Sequence, residues 1–256
     1  MIFYQQILTK NDCYKAGRTI VPKGVMVHST GANNPNLRRY VPGNDVIGYN
    51  SGGNDWNRPG TGACVHAFVG KLADGSVGVV QTLPWDMRGW HCGSGSKGSA
   101  NNTHISFEIC EDGLQDASYF NAVYQAAVEL TAELCKQYGL NPEKDGVVIC
   151  HSEGNARGVA SNHGDVMHWF PVHGKTMDMF RNDVDRTMEG EDEMTQEHFD
   201  AMMENYLARR AEKSADTWAT TGLTQAQAKG ITDGKRPQSF ATRQEVALMV
   251  NAAVKG

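Results

Sequence analysis

Cys150-His151-Ser152-Glu153, followed by Ser161-Asn162-His163-Gly164-Asp165-Val166-Met167-His168-Trp169-Phe170-Pro171, places three histidines and an aspartate within eighteen residues. The stretch begins where the short apolar run Val147-Val148-Ile149 ends, so His151 stands at a strand exit. Far upstream, Val25-Met26-Val27-His28-Ser29-Thr30 delivers another histidine from the end of another apolar run. Two such strands side by side can present both imidazoles to one ion. Imidazole and carboxylate donors suit zinc, and three protein ligands leave a fourth position for water. The pattern points to metal-assisted hydrolysis.

Working outward, residues 1 to about 187 carry short apolar runs separated by Gly, Asn and Asp turns. Val25–His28, Ala63–Val69, Ser76–Thr82, Ile105–Cys110 and Val147–Cys150 read as strands, with Asp74-Gly75 as a hairpin turn. Asn121–Tyr138 spaces Val123, Ala126, Ala127, Leu130 and Leu134 as an amphipathic helix, stopped by Gly139 and Pro142. A second helix is expected over Lys175–Arg186. The fold class is α/β, a mixed central sheet flanked by helices, followed by a small all-α C-terminal domain.

The composition changes near Glu189-Gly190-Glu191-Asp192-Glu193, a solvated linker or helix start. The expected division is 1–188 for the catalytic domain and 189–256 for the helical one. Glu193–Ala219 reads as helical, its stripe of Phe199, Met202, Met203, Tyr206 and Leu207 as a packing face. Leu223–Gly230 and Thr242–Val254 follow, the latter capped by Thr242 with Glu245 at the reciprocal position.

Composition narrows the partners. A net charge of −5 without a basic block argues against nucleic acid. No run reaches membrane-spanning length. The N-terminus lacks a basic region, a long apolar stretch and a small-residue cleavage site, so synthesis in the cytoplasm is expected. The six cysteines are scattered with no CxxC pair, which reads as buried free thiols.

Taken together, Val27-His28-Ser29-Thr30, Trp90-His91-Cys92-Gly93, Thr103-His104-Ile105-Ser106-Phe107-Glu108-Ile109 and His151–Pro171 resemble the zinc-dependent N-acetylmuramoyl-L-alanine amidase family. That family includes phage endolysins, bacterial amidases and peptidoglycan recognition proteins. The four blocks occur in the family's order and span most of residues 1–187. The resemblance implies an amidase or peptidoglycan recognition fold, a Zn2+ cofactor and a peptidoglycan substrate. By it, His28 and His151 match two zinc ligands. Asp165 matches the third, with His163 as the polarising residue. The loop after His151 is longer than usual and Val166 stands where Pro is common, which leaves His168 as the alternative third ligand. Glu108 matches the catalytic glutamate. Strand alternation sets it opposite Ile105, Phe107 and Ile109.

His66, His91 and Trp90 are expected on the substrate-binding wall. Trp56 or Tyr49, in the long loop Gly31–Gly60, could stack on sugar rings or simply anchor that loop. The last forty residues, with Gly230-Ile231-Thr232-Asp233-Gly234 and Thr242-Arg243-Gln244-Glu245, resemble one S-layer-homology repeat. This implies binding to a cell-wall polymer or a homodimer that presents more copies; a plain helical hairpin explains the same residues. The resemblance makes the chain an endolysin-type, antimicrobial hydrolase of bacteriophage origin that reaches the wall after release. The alternative is a peptidoglycan-binding protein on the same fold without catalysis.

Overall fold

The computed structural model describes residues 1–190 and 196–255. The chain divides into two compact units, Met1–Asp192 and Glu193–Gly256.

The first unit is built on six strands: β1 (Phe3–Gln5), β2 (Gly24–Ser29), β3 (Ala67–Lys71), β4 (Val77–Gln81), β5 (His104–Ile109) and β6 (Val148–Cys150). Their order across the sheet is β1-β4-β3-β5-β2-β6. Only β3 and β4 run antiparallel, joined through Asp74-Gly75. Gly75 takes φ +87° there, and the Asp74 carboxylate accepts from the Ser76 N–H at 2.9 Å. All six residues of β2 are buried. A strand enclosed between parallel neighbours reads as a continuous apolar run, as Val25-Met26-Val27 does.

The register matters most at β2. Val27 stands opposite Phe107 of β5 on one side and Cys150 of β6 on the other. One residue further, His28 stands opposite Glu108, and the chain after Cys150 turns directly into helix α3 (His151–Ala156). His28, Glu108 and His151 therefore leave the same end of the sheet.

The helices named so far in sequence reading sit on one face. Helix α1 (Asp12–Ala16) precedes β2, and α2 (Ala117–Tyr138) and α4 (Met177–Glu189) flank α3 in the chain. Asp116 caps α2 by accepting from the N–H groups of Ser118 and Tyr119 at 2.9 and 3.0 Å. Its apolar stripe of Phe120, Val123, Ala127, Leu130 and Leu134 packs with Val184 and Phe180 of α4 against Val25, Val27, Ile105, Phe107 and Ile109. Alternation sends the other residues of these strands to the opposite face. There Phe68, Val80 and Cys110 lie with Leu37, Tyr40, Val41 and Ile47 of the long loop. Met26 and Ile149 lie with Cys92, Ala100 and Ala160. The catalytic candidates share this loop-covered face.

Several elements differ from the sequence expectation. Strand β1 and helix α1 were not anticipated, and the strand placed over Ala63–Val69 begins only at Ala67, because Cys64 forms a separate bridge with Trp90. In the second unit, α5 (Gln196–Ala211) is shorter than the helix expected over Glu193–Ala219, while α6 (Thr220–Ala228) and α7 (Arg243–Lys255) fall where Leu223–Gly230 and Thr242–Val254 were expected. The Thr242 N–H donates to Glu245 at 2.7 Å while the Glu245 N–H donates to Thr242 Oγ1 at 3.2 Å, a reciprocal cap on α7. The stripe on α5 is only partly covered: Phe199, Met203, Tyr206 and Leu207 remain 39–43% exposed, while the Met202 side chain and residues 191–195 lie outside the described positions. So short a segment has little apolar surface with which to enclose a core. Among the described residues, no helix is long and apolar enough to cross a membrane.

Phe180, wholly buried between Tyr124 and Phe170, gives a direct check on this packing. Phe180→Ala is expected to destabilise the first unit by about 3–5 kcal/mol in urea unfolding followed by tryptophan fluorescence. Val21→Ala, at an exposed site, should change it by no more than about 0.5 kcal/mol. Similar losses from the two would contradict the core assignment.

Candidate metal and catalytic site

Three side chains converge at the end of the sheet. His28 Nδ1 lies 2.8 Å from Asp165 Oδ2, and His151 Nδ1 lies 3.0 Å from the same oxygen. Their donor atoms all fall within 4.8 Å of one another, and all three residues are buried. A divalent cation held tetrahedrally at about 2.0–2.1 Å by such donors would space them about 3.3 Å apart, and the two contacts to Asp165 are somewhat shorter than that. The donor set fits a zinc-type ion in chemistry, and its three atoms lie close enough together to share one.

Each histidine is steered from behind. His28 Nε2 stands 3.0 Å from His91 Nδ1, and His151 Nε2 stands 3.1 Å from Ser161 Oγ. His151 is the first residue of α3, whose start is fixed by Glu153: the Cys150 N–H donates to Glu153 Oε2 at 3.0 Å. Arg181 of α4 clamps that carboxylate with two bonds of 3.1 Å. Glu153 was assigned nothing from sequence, yet it anchors the turn that aims His151.

Asp165 reaches the centre from a short 3-10 turn, Asp165–His168, and takes φ +45° to do so. For a non-glycine residue that conformation costs of order 1–3 kcal/mol and persists only where its surroundings demand it. The same carboxylate accepts a contact of 2.6 Å from His163 Nδ1. His163 itself is largely exposed, so it faces the space a substrate would enter. His168 lies elsewhere: its Nε2 pairs with Glu111 Oε1 at 3.0 Å, outside the His28–His151–Asp165 cluster.

The charges suit this geometry. Burial pushes the Asp165 carboxyl up, but hydrogen bonds from His151 and His28 and their charges overcome it and hold it below the usual carboxylate range. Burial pushes His28 down despite Asp165, which favours the neutral imidazole a cation requires. Burial holds Glu108 well above the ordinary carboxylate range, and the charges of Asp165 and Glu111 add to it. Glu108 is half-buried, and its Oε2 is shut from solvent without a hydrogen-bond partner. A carboxyl so placed is poised to exchange a proton with a group brought to it.

The three expected wall residues separate. Trp90 is exposed, with the Arg88 guanidinium 5.2 Å from its ring centroid. His91 turns inward, its ring edge-on to His28 at 5.1 Å between centroids. His66 is no wall residue at all: it is fully buried, with Nε2 2.7 Å from the Met87 carbonyl and Nδ1 3.1 Å from Ser106 Oγ. It braces β3 against β5 from below. Trp56 packs on Phe68 and Tyr40 and anchors the long loop, whereas Tyr49 is exposed. Sequence reading passed over Ser161 and Asn101. Ser161 heads the polar run before His163, which was a signal; Asn101 stands in no pattern that marks it.

The family model described as N-acetylmuramoyl-L-alanine amidase matches residues 17–167, a span that takes in His28, Glu108, His151 and Asp165 and stops before His168. Among solved structures, the chain is similar to the Staphylococcus aureus hydrolase AmiA in complex with its ligand, at 20% identity and a TM-score of 0.52, over 73% of this chain and 83% of that one. It is similar to the catalytic domain of XlyA at 19% identity and a TM-score of 0.51, over 72% of this chain and 99% of that one. A mutant endolysin from Bacillus subtilis aligns at 20% identity and a TM-score of 0.51, over 72% of this chain and 99% of that one. At these identities the structures speak to the fold alone. No curated protein sequence matches the chain.

The buried histidines set a pH dependence. Burial lowers His66 to about 4, while the unfolded chain takes up that proton near 6.5. Stability is thus fully present above pH 6.5 and falls as the pH drops toward 4. His28, His91 and His104, also lowered by burial, act in the same direction. Glu108, raised, acts oppositely and loses its contribution as the pH rises above about 4.5. Urea unfolding at pH 7 and pH 5 should show a clear loss in the native chain and a smaller one in His66→Gln. Equal losses would remove His66 from this account.

Proposed function

Because the chain belongs to the N-acetylmuramoyl-L-alanine amidase family, we propose that it hydrolyses the amide between the lactyl group of N-acetylmuramic acid and L-alanine in peptidoglycan, as a zinc-dependent endolysin-type enzyme. The observation that carries this reading is the convergence of His28 Nδ1, His151 Nδ1 and Asp165 Oδ2 at one buried point beside Glu108. His28, His151 and Asp165 would hold the ion. Zinc so bound would supply Lewis acidity at neutral pH, strong enough to polarise a carbonyl and to bring the pKa of a bound water toward ~7.

The chain's own residues then divide the proton and charge work. Glu108 accepts a proton as water adds to the scissile carbonyl carbon, and returns it to the alanine nitrogen as the C–N bond breaks. Its raised proton affinity matches a group that must both take and give. His163, exposed and donating to Asp165 from Nδ1, would stabilise the developing oxyanion from its other ring nitrogen when that nitrogen also carries a proton. Asp165 stays ionised throughout. The third position belongs to Asp165, not His168, whose imidazole is engaged with Glu111. Trp90 and the Arg88 guanidinium stacked on it offer an apolar plate and a positive charge to the glycan or stem peptide.

The second unit is assigned to the cell wall. Leu223, Ile231, Arg236, Phe240, Leu248 and Met249 are among the residues around a cavity of about 560 Å³, mixed in polarity as a glycopolymer site would be.

Mass spectrometry of digested peptidoglycan tests the reaction. The native chain should release peptides that begin with alanine. Glu108→Gln should slow that release by roughly 100-fold or more while keeping its zinc. Equal rates would remove Glu108 from the chemistry, and native protein that binds peptidoglycan without releasing peptide would make it a receptor.

A further inference from the structure

We infer that the turn Trp90–Gly93 positions both candidate ligand histidines, through His91 on His28 and through Ser161 on His151, by placing a hydrogen-bond partner behind the Nε2 of each ring. The inference rests on the cation-site reading above and deepens it.

An imidazole that gives the lone pair of Nδ1 to a cation must carry its proton on Nε2. Left alone, the two tautomers interconvert freely; a hydrogen-bond acceptor behind Nε2 selects one. Both rings have a group there that can serve: Ser161 Oγ behind His151, and behind His28 the Nδ1 of His91 when that ring carries its proton on Nε2. His28 Nε2 faces His91 Nδ1 at 3.0 Å, while its own Nδ1 faces Asp165. His151 Nε2 faces Ser161 Oγ at 3.1 Å, while its Nδ1 faces the same carboxylate oxygen.

The Ser161 arm suits the arrangement a cation requires. Its hydroxyl has a single proton, and Oγ lies 3.2 Å from the Cys92 carbonyl, which can only accept. With its proton turned there, a lone pair faces His151, so His151 can donate from Nε2 and offer Nδ1 to a cation; without the cation the Nδ1 proton goes to Asp165 and the hydroxyl turns to Nε2. The Ser161 N–H donates to the same Cys92 carbonyl at 2.8 Å, holding the residue twice.

Both arms thus issue from one turn, and the turn is itself locked. Asn101, fully buried, accepts from the His91 and Cys92 N–H groups at 2.7 and 3.2 Å through Oδ1 and donates to the Gly93 carbonyl at 2.9 Å through Nδ2. Gly93 adopts φ +62°, and a Cβ there would come 3.1 Å from Ser161 Oγ. A side chain at 93 would strain the backbone and crowd the serine together. His91 and Ser161 are positioning residues: neither belongs to the convergent donor set.

Zinc affinity of the full chain, read by competition with a chromophoric chelator, tests this without any activity assay. His91→Phe keeps a planar ring and removes the acceptor; it is expected to weaken zinc by roughly 10- to 100-fold. His91→Asn, whose amide oxygen falls near the place of Nδ1, should restore most of the loss, which mere loss of packing would not allow. Cobalt substituted into each variant should give an altered visible spectrum for Phe and a native-like one for Asn. Thermal unfolding without metal shows whether each variant folds. Should His91→Phe fail to fold, Ser161→Ala, which deletes one oxygen, carries the test with an expected loss of roughly 10-fold. Native-like zinc affinity in His91→Phe, or in Ser161→Ala where that is the variant measured, overturns the inference while leaving the cation site standing. A native chain that takes up neither zinc nor cobalt overturns the site reading itself.

Discussion

Everything at the site depends on the in-register parallel pairing of β2 with β5 and β6. Opposite Val27 lie Phe107 and Cys150, so one residue later His28, Glu108 and the start of α3 emerge together. A slip of one residue in either pairing would send a catalytic candidate to the helix-covered face, since side chains alternate along a strand. The apolar residues of these strands, locked under α2 and α4, are what forbid that slip. Core packing and site geometry are thus the same constraint viewed from two faces of one sheet.

Asp165 is where the costs gather. A carboxylate taken out of water, on a backbone in the left-handed region, is tolerable only with strong compensation. Two imidazole Nδ1 atoms supply it on one oxygen and His163 on the other. The arrangement concentrates negative charge where a cation would sit, and that charge in turn raises the proton affinity of nearby Glu108. Electrostatics therefore links the metal position to the proton-transfer group without a direct bond between them.

Much of this was legible in the sequence because it is written in local pattern. Apolar runs that end in His28 and His151 announce strand exits, and the alternation Ile105, Phe107, Ile109 against Ser106, Glu108, Cys110 sets the face of Glu108. The stripe of α2 gives the helix beneath. What escaped depends on contacts between distant segments. Strand β1 is three exposed residues that exist as a strand only by pairing with β4. His66 looked like a wall residue because it begins a strand, but its burial follows from Met87 and Ser106 closing over it. Between Asp165 and His168, ligand chemistry alone could not choose; the tight turn that carries both sends one inward and the other to Glu111. The stripe of α5 shows the converse, a helical pattern that promised a packing face and whose described side chains are covered only in part.

The most direct test of the account is a crystal structure of the full chain grown with zinc, with anomalous data collected at the zinc absorption edge. The account places one anomalous peak about 2 Å from each of His28 Nδ1, His151 Nδ1 and an Asp165 carboxylate oxygen, with no protein atom in the fourth position and His168 still against Glu111. A peak between His168 and Glu111, or none near positions 28 and 151, would contradict it.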